Sequence, residues 1–165
     1  MRKVSEIIVH CSATRPEWMY TDPIKAKVKE IRKWHKDRGW KDIGYHYVID
    51  RDGLCSNGRP MDQTGAHTKG HNKGTIGVCL IGGHGASKDD SFEDHFTEAQ
   101  DKSLRNLIKD LEATYGHMKV SGHNEYANKG CPGFNVRQWL EKHKGGGIWV
   151  ILMNILSSLM KRFDK

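Results

Sequence analysis

Proline is scarce, four in 165 residues, and aromatic side chains make up only 8% of the chain. So little proline excludes polyproline and collagen-like architectures, and the 18 glycines follow no fixed period. No apolar stretch near Met1 has the make-up of a secretory leader, and Cys11, Cys55, Cys79 and Cys131 are too irregularly spaced to frame a disulfide scaffold. Synthesis in a reducing cytoplasm is therefore expected. Long blocks of one charge are missing too. The net charge of +7 suits an anionic partner, but the lysines and arginines are scattered and no basic-aromatic platform accompanies them, so specific nucleic-acid readout is not expected.

What is present is an ordinary globular composition, 36% hydrophobic and 28% charged, in a chain long enough to bury one core without disulfides. Residues 4–11 read as a buried strand whose apolar run Ile7-Ile8-Val9 ends at His10, and alternation turns Cys11 away from whatever His10 faces. Asp22 as N-cap and Pro23 in the first turn open a helix with Ile24, Val28, Ile31 and Trp34 at helical spacing, stopped by Gly39. Its Lys25, Lys27, Lys29, Arg32, Lys33 and Lys36 are expected on a solvated face.

Residues 44–51 alternate as a strand and turn at Asp52-Gly53 into Leu54 and Cys55. Tyr45 and Tyr47 share one face and His46 takes the other, so Tyr45 and His46 cannot both look into one cleft. Residues 58–74 carry no apolar period and read as a long polar loop, where His67 and His71 either line a groove or face solvent. Residues 75–82 form a near-continuous apolar run, a central strand with Cys79 as a small buried hydrophobe. Residues 84–96 read as a surface loop. Thr97-Glu98-Ala99-Gln100 is a capping box that opens a helix with Leu104, Leu107, Ile108, Leu111 and Tyr115, ending at Gly116. A short strand at 118–120 and a last helix at about 136–143, with Trp139 and Leu140 inward, complete a domain expected to span residues 1–144.

Gly145-Gly146-Gly147 reads as a hinge, and residues 148–165 beyond it wind into a C-terminal amphipathic helix. At ~1.5 Å per residue its apolar part is about 20 Å long, short of the ~30 Å hydrocarbon core of a bilayer. Its apolar face would lie on an anionic membrane surface, on the chain's own domain or on a second copy.

The chemistry concentrates in residues 121–134, where His123, Lys129 and Cys131 fall within nine residues on an irregular segment. An imidazole and a thiolate eight residues apart reach one zinc if the loop folds back, and Gly130 and Pro132 favour such a bend. His10, at a strand end, is the best candidate for a third ligand. Two histidines and a cysteine leave a fourth position for water, as catalytic rather than structural zinc sites do.

With these residues in view, the sequence resembles the zinc N-acetylmuramoyl-L-alanine amidases of the peptidoglycan-recognition type, and within them the endolysins of T-odd coliphages. The resemblance rests on VHCSAT (9–14), EIRKWHKDRGW (30–40), GYHYVIDRDG (44–53), IGVCLIGG (76–83), FTEAQDKSLRNL (96–107) and HNEYANKGCPGF (123–134), in the same order. It implies an α/β domain with a central mixed sheet flanked by helices, one zinc held by His10, His123 and Cys131, and Tyr45 and Lys129 beside the metal. The implied reaction is hydrolysis of the amide joining N-acetylmuramic acid to L-alanine in bacterial peptidoglycan, on the cell wall in the periplasm after release from the cytoplasm. His67 matches a groove-lining histidine and is a candidate contact for the stem peptide. A second function of a different class is implied as well, binding and inhibition of a phage-type single-subunit RNA polymerase.

Overall fold

A computed structural model describes residues 2–142; Met1 and the expected tail, with its boundary at residue 145, lie outside the described residues. Residues Met1–Asn135 form one compact unit, and a second begins at Val136. The first is built on five strands, β1 (Glu6–Cys11), β2 (Tyr47–Ile49), β3 (Cys55–Asn57), β4 (Thr75–Leu80) and β5 (Lys119–Gly122), in the spatial order β3-β2-β4-β1-β5. β1 runs parallel to β4 and β5, β2 runs parallel to β4, and only the β2/β3 hairpin is antiparallel. This is the mixed α/β sheet that the sequence pattern and the resemblance imply.

β1 and β4 lie at the centre and are paired over six residues each, which is why both read as apolar runs rather than alternating strands. Helix α1 (Ile24–Asp37) lays Val28 and Ile31 on the sheet face that carries Val48 and Cys79. Helix α3 (Glu98–Tyr115) buries Leu104, Ile108 and Leu111. Its capping box forms as expected, with Thr97 Oγ1 accepting from the Gln100 N–H at 3.2 Å. Gln100 goes further: fully buried, it donates through Nε2 to the carbonyls of Ile81 (2.9 Å) and Ile49 (3.3 Å), tying the helix start to the sheet.

Four expectations are corrected. The α1 cap is Pro23 and no side chain caps the helix, so Asp22 is only a flanking residue. Lys27 is not on a solvated face but 4% exposed, with Nζ donating to both carboxylate oxygens of buried Asp50 at 2.8 and 2.7 Å. A buried ammonium is tolerable only with such a partner, and Asp50 lies beyond the reach of a helical-wheel argument. Residues 84–96 are not wholly loop, because α2 (Phe92–His95) buries Phe92, and Phe96 follows it into the core. The strand expected over 44–51 is shorter, Tyr47–Ile49, flanked by the His46 N–H on the Gly77 carbonyl and the Asp50 N–H on the Leu54 carbonyl, both at 2.8 Å. Helix α4 (Val136–Lys142), in the second unit, buries Val136 and Trp139, with Leu140 only half-buried.

Candidate metal centre

His10 and His123 leave the carboxyl ends of neighbouring parallel strands. β1 delivers His10, fully buried, and β5 ends at Gly122, directly before a 3-10 turn (His123–Glu125) that starts with half-buried His123. In open α/β sheets such strand ends are where ligands are met. Cys131 returns to them on a loop that passes hard against the backbone of residue 86: a Cβ at Gly130 would collide with the Ala86 carbonyl. The ligand atoms of His10, His123 and Cys131 then lie within 4.8 Å of one another. His10 turns its Nδ1 to Cys131 Sγ at 3.8 Å, and the two imidazole rings are 4.6 Å apart.

Cys11 is not one of the three, yet it does not simply turn away. Its N–H donates to Cys131 Sγ at 3.3 Å, because Cys131 sits off the end of β1, in reach of two consecutive residues. The neighbouring Cys131 thiol lowers the Cys11 thiol, and Cys11 together with burial pushes Cys131 up. His10 is held well below its ordinary value by burial first and then by His67, His123 and Lys129, and His123 is lowered by burial and Lys129. Both imidazoles are therefore neutral near pH 7, the form in which a ring nitrogen offers a lone pair to a metal.

Tyr45 stands 5.1 Å from the His10 ring, with His35 behind it at 5.2 Å between ring centres. Burial, with the thiols of Cys79, Cys131 and Cys11 near it, keeps its phenol well above the ordinary range. His46 turns the other way: its Nδ1 accepts the Gly77 N–H at 3.0 Å and its Nε2 faces the Gln63 carbonyl at 3.0 Å. Lys129 is exposed and lines a pocket of about 650 Å3 together with His123, Trp40, Thr68 and Tyr126.

His67 lines the same pocket but is 7% exposed, and its Nδ1 faces His10 Nε2 at 3.0 Å. It thus touches both the pocket and the candidate ligand His10. Its loop is pinned by Asn72, whose Oδ1 accepts the N–H groups of His67 and Thr68, each at 2.8 Å. Thr68, Asn72 and Thr75, which complete this surround, carried no signal in the sequence. Trp40 and Tyr126 were visible only as aromatics beside a glycine or within the loop. The Tyr126 ring packs on His71 at 4.4 Å, and its hydroxyl donates to Glu6.

A family model described as N-acetylmuramoyl-L-alanine amidase matches residues 1–134. The chain belongs to the N-acetylmuramoyl-L-alanine amidase family. Among the amidase's relatives, the endolysin of Escherichia phage T7 is 44% identical over 138 residues, covering 84% of this chain and 86% of that one. The endolysin of Klebsiella phage KP32 is 41% identical over 143 residues, covering 87% and 89%. Of solved structures, Drosophila PGRP-LB superposes with a TM-score of 0.66 at 27% identity, over 81% of this chain and 76% of that one. The Clostridium intestinale endolysin amidase LysCS, 24% identical with a TM-score of 0.68 and coverage of 86% and 84%, shares the fold. The amidase is accordingly a peptidoglycan hydrolase.

Proposed function

We propose that the amidase hydrolyses the amide between N-acetylmuramic acid and the L-alanine of the stem peptide with one zinc ion held by His10, His123 and Cys131. The observation that carries this reading is the convergence of those three ligand atoms within 4.8 Å, at the edge of a pocket that His123 and Lys129 line. Two neutral imidazoles and a thiol suit a borderline-soft ion and not magnesium or calcium. When bound, zinc supplies Lewis acidity that polarises the scissile carbonyl and acidifies water.

The remaining roles fall to the chain's own residues. Lys129, an exposed ammonium at the pocket wall, is the group available to stabilise the oxyanion of the tetrahedral intermediate. Tyr45, with its phenol held protonated, acts as a hydrogen-bond donor at the reacting centre rather than as a base. Burial of His10 and half-burial of His123 thin the water around the centre and strengthen every charge interaction there. The substrate polymer places the action on the bacterial cell wall. No feature of the described residues favours a polymerase or membrane contact.

Digestion of purified peptidoglycan, followed by mass analysis of released stem peptides, tests the reading. Peptides with a free L-alanine amino terminus are expected, their release stopping on chelation and returning with zinc. Release unaffected by removal of all bound metal overturns it.

A further inference from the structure

Behind His10, a line of polar atoms runs from the backbone to the candidate metal. Thr75, the first residue of β4, has one hydroxyl proton. Its Oγ1 lies 2.8 Å from the His71 carbonyl and 3.1 Å from the Asn72 carbonyl, and carbonyls only accept, so that proton is spent on them. Toward His67 Nε2, 3.3 Å away, Thr75 Oγ1 can then offer only a lone pair. His67 Nε2 must carry a proton and donate it.

A neutral imidazole protonated at Nε2 is bare at Nδ1, and His67 Nδ1 faces His10 Nε2 at 3.0 Å. His10 Nε2 must in turn be the protonated nitrogen, which leaves His10 Nδ1 as the lone pair turned to Cys131. Thr68 accommodates this sense without setting it, because its hydroxyl, 3.0 Å from His67 Nδ1 and 3.3 Å from His10 Nε2, can donate to either and accept from the other. The reverse polarity would leave Thr75 Oγ1 against a carbonyl at 2.8 Å with no proton between them. Packing fixes the His67 ring in place: a Cβ on Gly77, the β4 residue beneath it, would sit 2.5 Å from His67 Cγ and Cδ2.

We propose that Thr75 is a positioning residue which, acting through His67, sets the tautomer of His10 and bares its Nδ1 for the metal before any metal arrives. This assignment rests on His10 being a metal ligand. Ligand histidines in general donate their second N–H to a fixed acceptor, and loss of that acceptor lowers metal affinity by about 10- to 100-fold. Here the acceptor is itself a histidine, and its own tautomer is dictated one step further back.

Two measurements decide it. In metal-free, 15N-labelled wild-type protein, the imidazole nitrogen shifts of His10 and His67 are expected to show both rings protonated at Nε2; protonation of His10 at Nδ1 overturns the proposal whatever the metal does. Zinc affinity, read by competition with a chromophoric chelator, is expected to fall about 10-fold or more in Thr75→Val and in His67→Ala and to return in Thr75→Ser. Wild-type affinity in both Thr75→Val and His67→Ala overturns the relay while leaving the metal site standing. Absence of zinc binding by the wild-type protein overturns the metal reading itself.

Discussion

His10 meets only partners remote in sequence. Its Nε2 neighbours, His67 and Thr68, are 57 and 58 positions away and Cys131 is 121 away, and its ring is fully buried. The other two candidate ligands ride on a half-buried loop whose backbone hydrogen bonds are short-range, such as Gly122 N–H to Glu125 Oε1 at 2.8 Å, Tyr126 N–H to the His123 carbonyl at 3.0 Å and Lys129 N–H to the Ala127 carbonyl at 2.8 Å, and which is tied to β1 at a few points, among them Cys11 N–H to Cys131 Sγ and Tyr126 to Glu6. One half of the centre is therefore set inside the sheet, and the other on a turn that meets the sheet at a few points. A buried, over-determined half keeps its geometry whether or not metal is present, while a local turn yields at lower cost.

The sharpest way to break the contrast is to remove one ligand from each half. His10→Ala and His123→Ala are both expected to abolish zinc binding and release of stem peptides, but only His10→Ala should also lower the thermal midpoint of the metal-free protein, because it opens a cavity among buried residues. Equal midpoints in the two variants would show the halves to be held alike. Next in size, Lys129→Ala is expected to cut kcat by about 10²- to 10³-fold with zinc affinity unchanged, since an oxyanion donor acts on the transition state and not on the metal.

Gly77→Ala tests the remote half without touching a ligand. The new methyl is forced against the His67 ring, so a loss of about 1–3 kcal/mol in denaturant-derived stability is expected, together with weaker zinc binding. A further effect is in pH. Burial lowers His35 and His46, which pack beside Tyr45 and His67, to about 4 from 6.5. Between those values the unfolded chain binds protons that the folded chain refuses, so their contribution is present above pH ~6.5 and is lost as pH falls through ~4. The denaturation midpoint of metal-free protein should drop across that window.

Much of the fold was legible because its cues are local. The capping box at Thr97, the apolar runs of β1 and β4 and the turn at Asp52-Gly53 each declare themselves within a few residues. Lys27 was misplaced for the opposite reason. On a helical wheel it belongs with the other cations, and only Asp50, brought in by the sheet, makes its burial tolerable. α2 escaped because four residues are too few for a period, and its anchor Phe92 looked like a lone aromatic in a polar run.

The candidate ligands divide along the same line. His123, Lys129 and Cys131 stand close together in the chain, and an imidazole, a cation and a thiol on one irregular segment point to metal chemistry before any fold is known. The kind of chemistry, and the strands and helices that frame it, are thus legible in the chain alone, since residue type and short-range periodicity encode both. That His67 stands behind His10, with its ring on Gly77 and its far nitrogen on Thr75, emerges only when the strands are assembled. Which nitrogen of a histidine keeps its lone pair depends on what the other nitrogen touches, and parallel strands bring that partner from a distant part of the chain.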